Sequence, residues 1–310
     1  MNQNTLGFST SWNASGVEDG RAIVDRIRHL GFRALEVEYR VSEAAVTGIE
    51  EAVRAGEVEV LSVHNYSPLA AGEKASTRGG DKRNLASPDE SEVGEAVKLT
   101  KCSLDLAHRL GAGVLIVHAG ETDMTREYFR ELSEIVKSEG VLSVPAVRLR
   151  QAVIRARNAK KGPYLEAVLK SVKELEAYAA DRGIKIGIEN RYYYHQVPLP
   201  EEIVWMVEEL NSPYVGYWHD VGHAHVMEAL GFVPHLNSLD LLKGNLLGMH
   251  LHDAVFIRDH RAPGTGEIDF PQILAMAPSS AVKIIELAPS VTEEEIHQST
   301  AYLESVGVRH

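Results

Sequence analysis

Short apolar runs alternate along the chain with longer stretches in which apolar residues recur three and four apart, the pattern of strand, crossover helix and next parallel strand. Eight runs rich in Val, Ile and Leu qualify as strands: Leu6 to Thr10, Ala34 to Tyr39, Val58 to His64, Val114 to His118, Ile184 to Glu189, Val215 to His219, Leu246 to His252 and Val282 to Leu287. Between them, Ile23, Ile27 and Leu30 fall on one helical face, as do Val168, Val172, Leu175 and Tyr178. Gly31, Gly111 and Gly183 each stand just before a strand, where a left-handed helix end is wanted. Helix starts are marked by Ser87-Pro88, by Leu199-Pro200-Glu201-Glu202, and by Thr292 with Glu295.

Eight βα units, without a change of composition or a linker rich in Pro, Gly or Ser, predict an α/β fold: one closed (β/α)8 TIM barrel over residues 1–310. An open doubly wound sheet is disfavoured, because no G-x-G-x-x-G follows the first strand. Two segments exceed ordinary barrel loops, 65–88 and 120–162, and both leave the C-terminal face as candidate lids or substrate walls. The second has helical spacing of its own and a basic run: Arg148, Arg150, Arg155, Arg157, Lys160 and Lys161. A solvated helix face or an oligomer contact is the favoured reading of that run over phosphate recognition.

Apolar residues make up 44% of the chain and charged residues 25%, enough for a buried core and against general disorder. The formal charge of −12 repels a phosphate backbone, so nucleic acid is a disfavoured partner. The one cysteine, Cys102, falls in an expected helix and has no internal partner, which fits a reducing compartment; a buried structural thiol is the favoured reading. The start, MNQNTLGFSTSW, lacks the pattern of a signal peptide, and no run of 18 apolar residues occurs. A soluble cytoplasmic protein without membrane contact is expected, with homo-oligomer formation left open.

Placement of polar residues changes the picture most. Of 14 histidines, His29, His108, His297 and His310 fall on helices or at the terminus. Others collect at or beyond strand ends: His64, His118, His219, His223, His225, His250, His252 and His260, with His195 and His235 in following loops. Glu189, Asp220 and Glu286 join them, and in a barrel all strand C-termini converge on one mouth. An apolar strand that ends in a carboxylate, as at Ile188-Glu189 and Ile285-Glu286, buries charge at a cost of several kcal/mol unless a cation or metal answers it. Basic residues of the right number are not evident there. Carboxylates with imidazoles suit a divalent ion, Mn, Zn, Co or Mg.

The series VHAG, IEN, HDVGHAH, HLHD with H-x-x-P-G-x-G-E-I-D-F, and IIEL resembles the xylose-isomerase-like superfamily of TIM barrels over residues 58–290. That group includes sugar and sugar-phosphate isomerases and epimerases, and endonuclease IV. The resemblance implies a divalent metal held by Glu189, Asp220, His250 and Glu286. His250 and His252 share a strand face, so periodicity does not choose between them, and the resemblance selects His250. It further implies that Glu189 and Glu286 are catalytic, exchanging protons with a sugar or sugar phosphate, while His64, His118, His223, Arg258 and His260 bind its hydroxyl or phosphate groups. The alternative is an endonuclease IV-like multi-zinc phosphodiesterase on abasic DNA. It is disfavoured by the charge and because Arg258 stands where an Asp is expected, with Asp259 displaced by one, so that a third metal site is not expected. A binding module that has lost its chemistry is a further reading, against which both glutamates argue. Trp12 and Tyr192 to Tyr194 are equally readable as sugar-stacking or loop-packing rings.

Overall fold

In β4, Val114 and Ile116 point one way and Leu115 and Val117 the other, and this alternation repeats around the molecule. The computed structural model describes residues 5–70, 72–73, 81 and 83–308. Its barrel strands are β1 (Leu6–Ser9), β2 (Ala34–Val37), β3 (Glu59–His64), β4 (Val114–Val117), β6 (Lys185–Glu189), β8 (Val215–Asp220), β9 (Leu246–Leu251) and β12 (Val282–Ile285). All pair in parallel, and β1 against both β2 and β12 closes the ring, so the fold is a (β/α)8 TIM barrel. Two antiparallel ribbons lie beyond the strand ends: β5 (Gly120–Glu121) with β7 (Gln196–Val197), and β10 (Asp253–Val255) with β11 (Arg258–Arg261).

Outward residues such as Leu35, Leu115, Ile186, Tyr217, Met249 and Ile285 join the large core between barrel and helices. Inward ones, Ala34, Val114, Ile116, Trp218 and Ile284, fill the barrel itself. Trp218 is fully buried there and forms the floor, and a Cβ on Gly248 would come within 2.3 Å of its indole. Two residues beyond Ala34, Ile116, Gly187, Trp218, Gly248 and Ile284, at or just past the strand ends, stand Glu36, His118, Glu189, Asp220, His250 and Glu286. The period of two thus stacks an apolar floor under a polar ring.

The surrounding helices are α1 (Gly20–His29), α2 (Glu43–Arg54), α3 (Glu90–Leu110), α4 (Glu127–Glu139), α5 (Val144–Ala180), α6 (Pro200–Leu210), α7 (Val221–Ala229), α8 (His235–Leu242), α9 (Phe270–Met276) and α10 (Glu293–Ser305). Thr292 and Glu295 form the expected reciprocal cap of α10, and Gly111 ends α3 at φ 72°. Among the described residues no helix is long and apolar enough to cross a membrane.

Three expectations are corrected. Segment 120–162 does not end at Gly162: α5 runs through Gly162 and Pro163, since Val153 and Arg157 before them and Val168, Val172 and Leu175 after them are all buried against the body. Packing outweighs the local break. The basic run is not simply solvated. Arg157 is fully buried in a two-pronged pair with Glu202, at 2.7 and 2.6 Å, and Lys161 joins it at 2.9 Å. Only Arg148, Arg155 and Lys160 of that run are exposed, and Lys160 pairs with Asp123. Cys102 is exposed rather than buried, on the wall of an outer groove between α3 and α5.

Candidate active site

His250 is the centre of the polar ring because its neighbours in the ladder are Asp220 on β8 and Ile284, two residues before Glu286, on β12. Its Nε2 donates to Glu36 Oε2 at 3.1 Å, and Ser62 Oγ donates to the same oxygen at 2.8 Å. Nδ1 is then the free nitrogen of the neutral ring. It is buried without a hydrogen-bond partner, and it faces Glu286 Oε2 at 3.2 Å, Asp220 Oδ2 at 3.4 Å and Glu189 Oε1 at 3.7 Å. Arg191 donates to Glu189 Oε1 and His252 to Asp220 Oδ2 from the outside, but Nδ1 itself faces only acceptors, and these electron-rich atoms repel one another unless a cation lies among them. Such separations suit one ion with ligand distances of about 2.0–2.2 Å. Glu189, Asp220 and His250 lie within mutual ligand reach and fit a divalent metal, and Glu286 meets that group at His250.

Without a cation the same cluster recruits protons. Burial works to lower His250, but Glu286 and Glu36 beside it raise its pKa well above the ordinary histidine value. Burial works to raise Glu189, yet the charge and hydrogen bond of His118, with His223 and His250 beside it, hold its carboxyl well below its usual range. Glu286 and Asp220 are held low in the same way, by histidines on every side.

Asp220 is doubly anchored. Its Oδ1 accepts the His223 backbone N–H at 2.7 Å, capping α7, and its Oδ2 accepts from His252 Nε2 at 2.9 Å. His252 Nδ1 accepts the His260 backbone N–H at 2.9 Å, which leaves its proton on Nε2. His252 thus anchors Asp220, whereas His250 presents a free nitrogen to the cluster.

Above the ring is a cavity of about 310 Å³ whose lining includes Glu189, Glu286, His64, His118, His223 and His260. His64 and His118 both place Nε2 at 3.0 Å from Glu189 Oε2. His64 donates Nδ1–H to the Asn65 carbonyl at 2.8 Å, so a neutral ring turns its lone pair toward that carboxylate. His64, His118 and Glu189 form a second ligand-like group, His223, Asp259 and His260 a third, and His252, His260 and Glu286 a fourth.

The third group corrects the expectation that the shift of Asp259 breaks it. Adjacent strand residues normally face opposite ways, but His260 adopts φ +55°, and the alternation fails at that point of β11. Asp259 and His260 both line the cavity. Arg258 instead lies exposed on an outer groove with Phe129 and Phe256, and the structure does not bring it into the mouth. His219 and His235 are also elsewhere. They face outward from the barrel, with Nε2 atoms 2.9 Å apart, and burial lowers both pKa values, that of His235 to about 3. Of the aromatic candidates only Tyr192 lines the cavity; Trp12 donates to the Val291 carbonyl at 2.8 Å, and Tyr194 stacks on Phe232.

Glu36, Asp81 and Arg191 were not expected in the site, and Asp259 was discounted as displaced by one. Glu36 had the same signal as Glu189, an inward carboxylate on an apolar strand. Arg191 directly follows IEN and reaches Glu189 Oε1 at 3.2 Å, so it is one of the basic partners that were not evident from strand ends.

The xylose isomerase-like TIM barrel family matches residues 24–296, and the chain belongs to that family. An uncharacterized protein of Sinorhizobium fredii, y4fM, is 23% identical over 84% of this chain and 77% of its own length. Among solved structures, a D-tagatose 3-epimerase-like protein is 18% identical, with TM-score 0.67 over 97% of this chain and 96% of its own. The 3-keto-D-glucoside 4-epimerase YcjR of E. coli is 16% identical, with TM-score 0.67 over 97% and 99%. Identities this low show the shared barrel fold.

Proposed function

We propose that the protein is a divalent-metal-dependent isomerase or epimerase that moves a proton beside the carbonyl of a sugar or sugar phosphate. The convergence of Glu189, Asp220, Glu286 and the unpartnered His250 Nδ1 under the cavity carries this reading. Family membership and the epimerase descriptions of structural neighbours support it. The four residues would hold the ion, which supplies polarisation of the carbonyl and neighbouring hydroxyl. Glu189 and Glu286 both line the cavity, and one carboxylate takes the carbon-bound proton while the C–H electron pair moves into the carbon framework. The carbonyl oxygen accepts the displaced pair; return of the proton to the same carbon from the opposite face gives the epimer, whereas delivery to the former carbonyl carbon, with the neighbouring hydroxyl proton passing to the former carbonyl oxygen, gives the isomer. His64, His118, His223 and His260 bind substrate oxygens around the wall.

The test is incubation of the protein, loaded separately with Mn, Co, Zn or Mg, with ketoses and their phosphates in deuterated buffer. Deuterium at the carbon beside the carbonyl is expected; its absence from every sugar overturns the reading. The second and third ligand groups favour one competing reading, a multi-metal phosphodiesterase. Three ions per chain with cleavage of abasic DNA would establish it, whereas one ion per chain with exchange supports sugar chemistry.

A further inference from the structure

One largely covered carboxylate outside the proposed reaction stands where several segments of the mouth meet. Asp81 follows β3, and its side chain is 11% exposed. Its Oδ1 accepts from His118 Nδ1 at 3.0 Å and lies 3.6 Å from the Arg191 guanidinium. Its Oδ2 accepts from Gln196 Nε2 at 3.2 Å and lies 3.7 Å from Arg126. The far nitrogen of His118 meets Glu189 Oε2 at 3.0 Å, and Arg191 meets Glu189 Oε1 at 3.2 Å. One carboxylate therefore anchors two groups that grip different oxygens of Glu189. An imidazole held at both nitrogens has one ring orientation left, and a guanidinium spanning two carboxylates is fixed in the same way.

We propose that Asp81 is a positioning residue: through His118 and Arg191 it sets the direction in which Glu189 presents its carboxylate to the cavity. As a statement about catalysis this rests on the isomerase or epimerase reading, but the geometry can be read without turnover. A residue that only staples its segment to the barrel needs size and some hydrogen bonding. Positioning needs two acceptor oxygens, because every group facing Asp81 is a donor. Asp81→Asn keeps the size and turns one acceptor into a donor.

The experiment compares wild type and Asp81→Asn as full chains at saturating metal, with the His118 imidazole followed by nitrogen-15 NMR and assigned by its loss in His118→Gln. The expected result is a shifted His118 resonance and a kcat lower by about 10- to 100-fold, with melting temperature and metal content unchanged. KM should change by no more than about threefold. An unchanged His118 resonance overturns the proposal, as does wild-type kcat. Parallel loss of melting temperature, metal content and activity also overturns it, since that pattern belongs to a staple. A shifted resonance in a protein that exchanges no sugar proton upholds the positioning of His118 and overturns the sugar reading alone.

Discussion

At His250 the two ring nitrogens are assigned different tasks by their neighbours. Glu36 takes the proton-bearing Nε2, and this leaves Nδ1 for the carboxylates of Glu189, Asp220 and Glu286. Glu36→Gln should thus lower metal affinity about 10- to 100-fold, because the amide no longer fixes the tautomer. Competition with a chelating dye measures this, and unaltered affinity would count against the ligand set. Glu286→Gln tests a different property, since its amide fills the space but accepts no proton. Compared at saturating metal, it should lose deuterium exchange while retaining the fold. Most of these residues were legible as strand-end carboxylates and histidines. Asp81 and Asp259 were not, since one lies in a long connection and the other depends on the left-handed backbone at His260.

Among the elements, β8 and β9 meet through Trp218 and Gly248. A methyl at Gly248 falls 2.3 Å from the Trp218 ring, inside any tolerable contact. Gly248→Ala should destabilise the protein by about 1–3 kcal/mol, the usual range for overpacking. Trp218→Phe in the same chain should return part of that loss by vacating the space. Urea denaturation of the single and double variants measures both, and additive losses would refute the steric account. The strands were readable because their alternation is local. The course of α5 through Pro163 was not, because it depends on burial against distant segments.

For the whole molecule, stability should depend on metal and on pH. Chelation should lower the melting temperature and any fitting ion should restore it by mass action; an unchanged melting curve would argue against a resident ion. His235 is held near 3 when folded, against about 6.5 when unfolded. Between those values the unfolded chain binds the extra proton, so this contribution is present above about pH 6.5 and is lost as pH falls toward 3. The slope is about 1.4 kcal/mol per pH unit within that window. His235→Gln should flatten the fall of stability between about pH 6 and 4, and chemical denaturation at stepped pH would reveal it; an unchanged slope would contradict a buried neutral His235.

Periodicity alone was enough to determine eight strands, their parallel order and the mouth where they end, because side-chain alternation and right-handed crossovers leave few other arrangements. It also placed Glu189, Asp220, His250 and Glu286 at that mouth, since each lies at or just beyond a strand end. Tertiary structure decided what those positions do. It turned His219 outward toward His235, directed Arg258 to an outer groove, and brought Asp81 and Arg191 against the groups around Glu189. These outcomes depend on backbone turns and on contacts between residues far apart in the chain, 115 positions for Asp81 and Gln196. No local pattern encodes them.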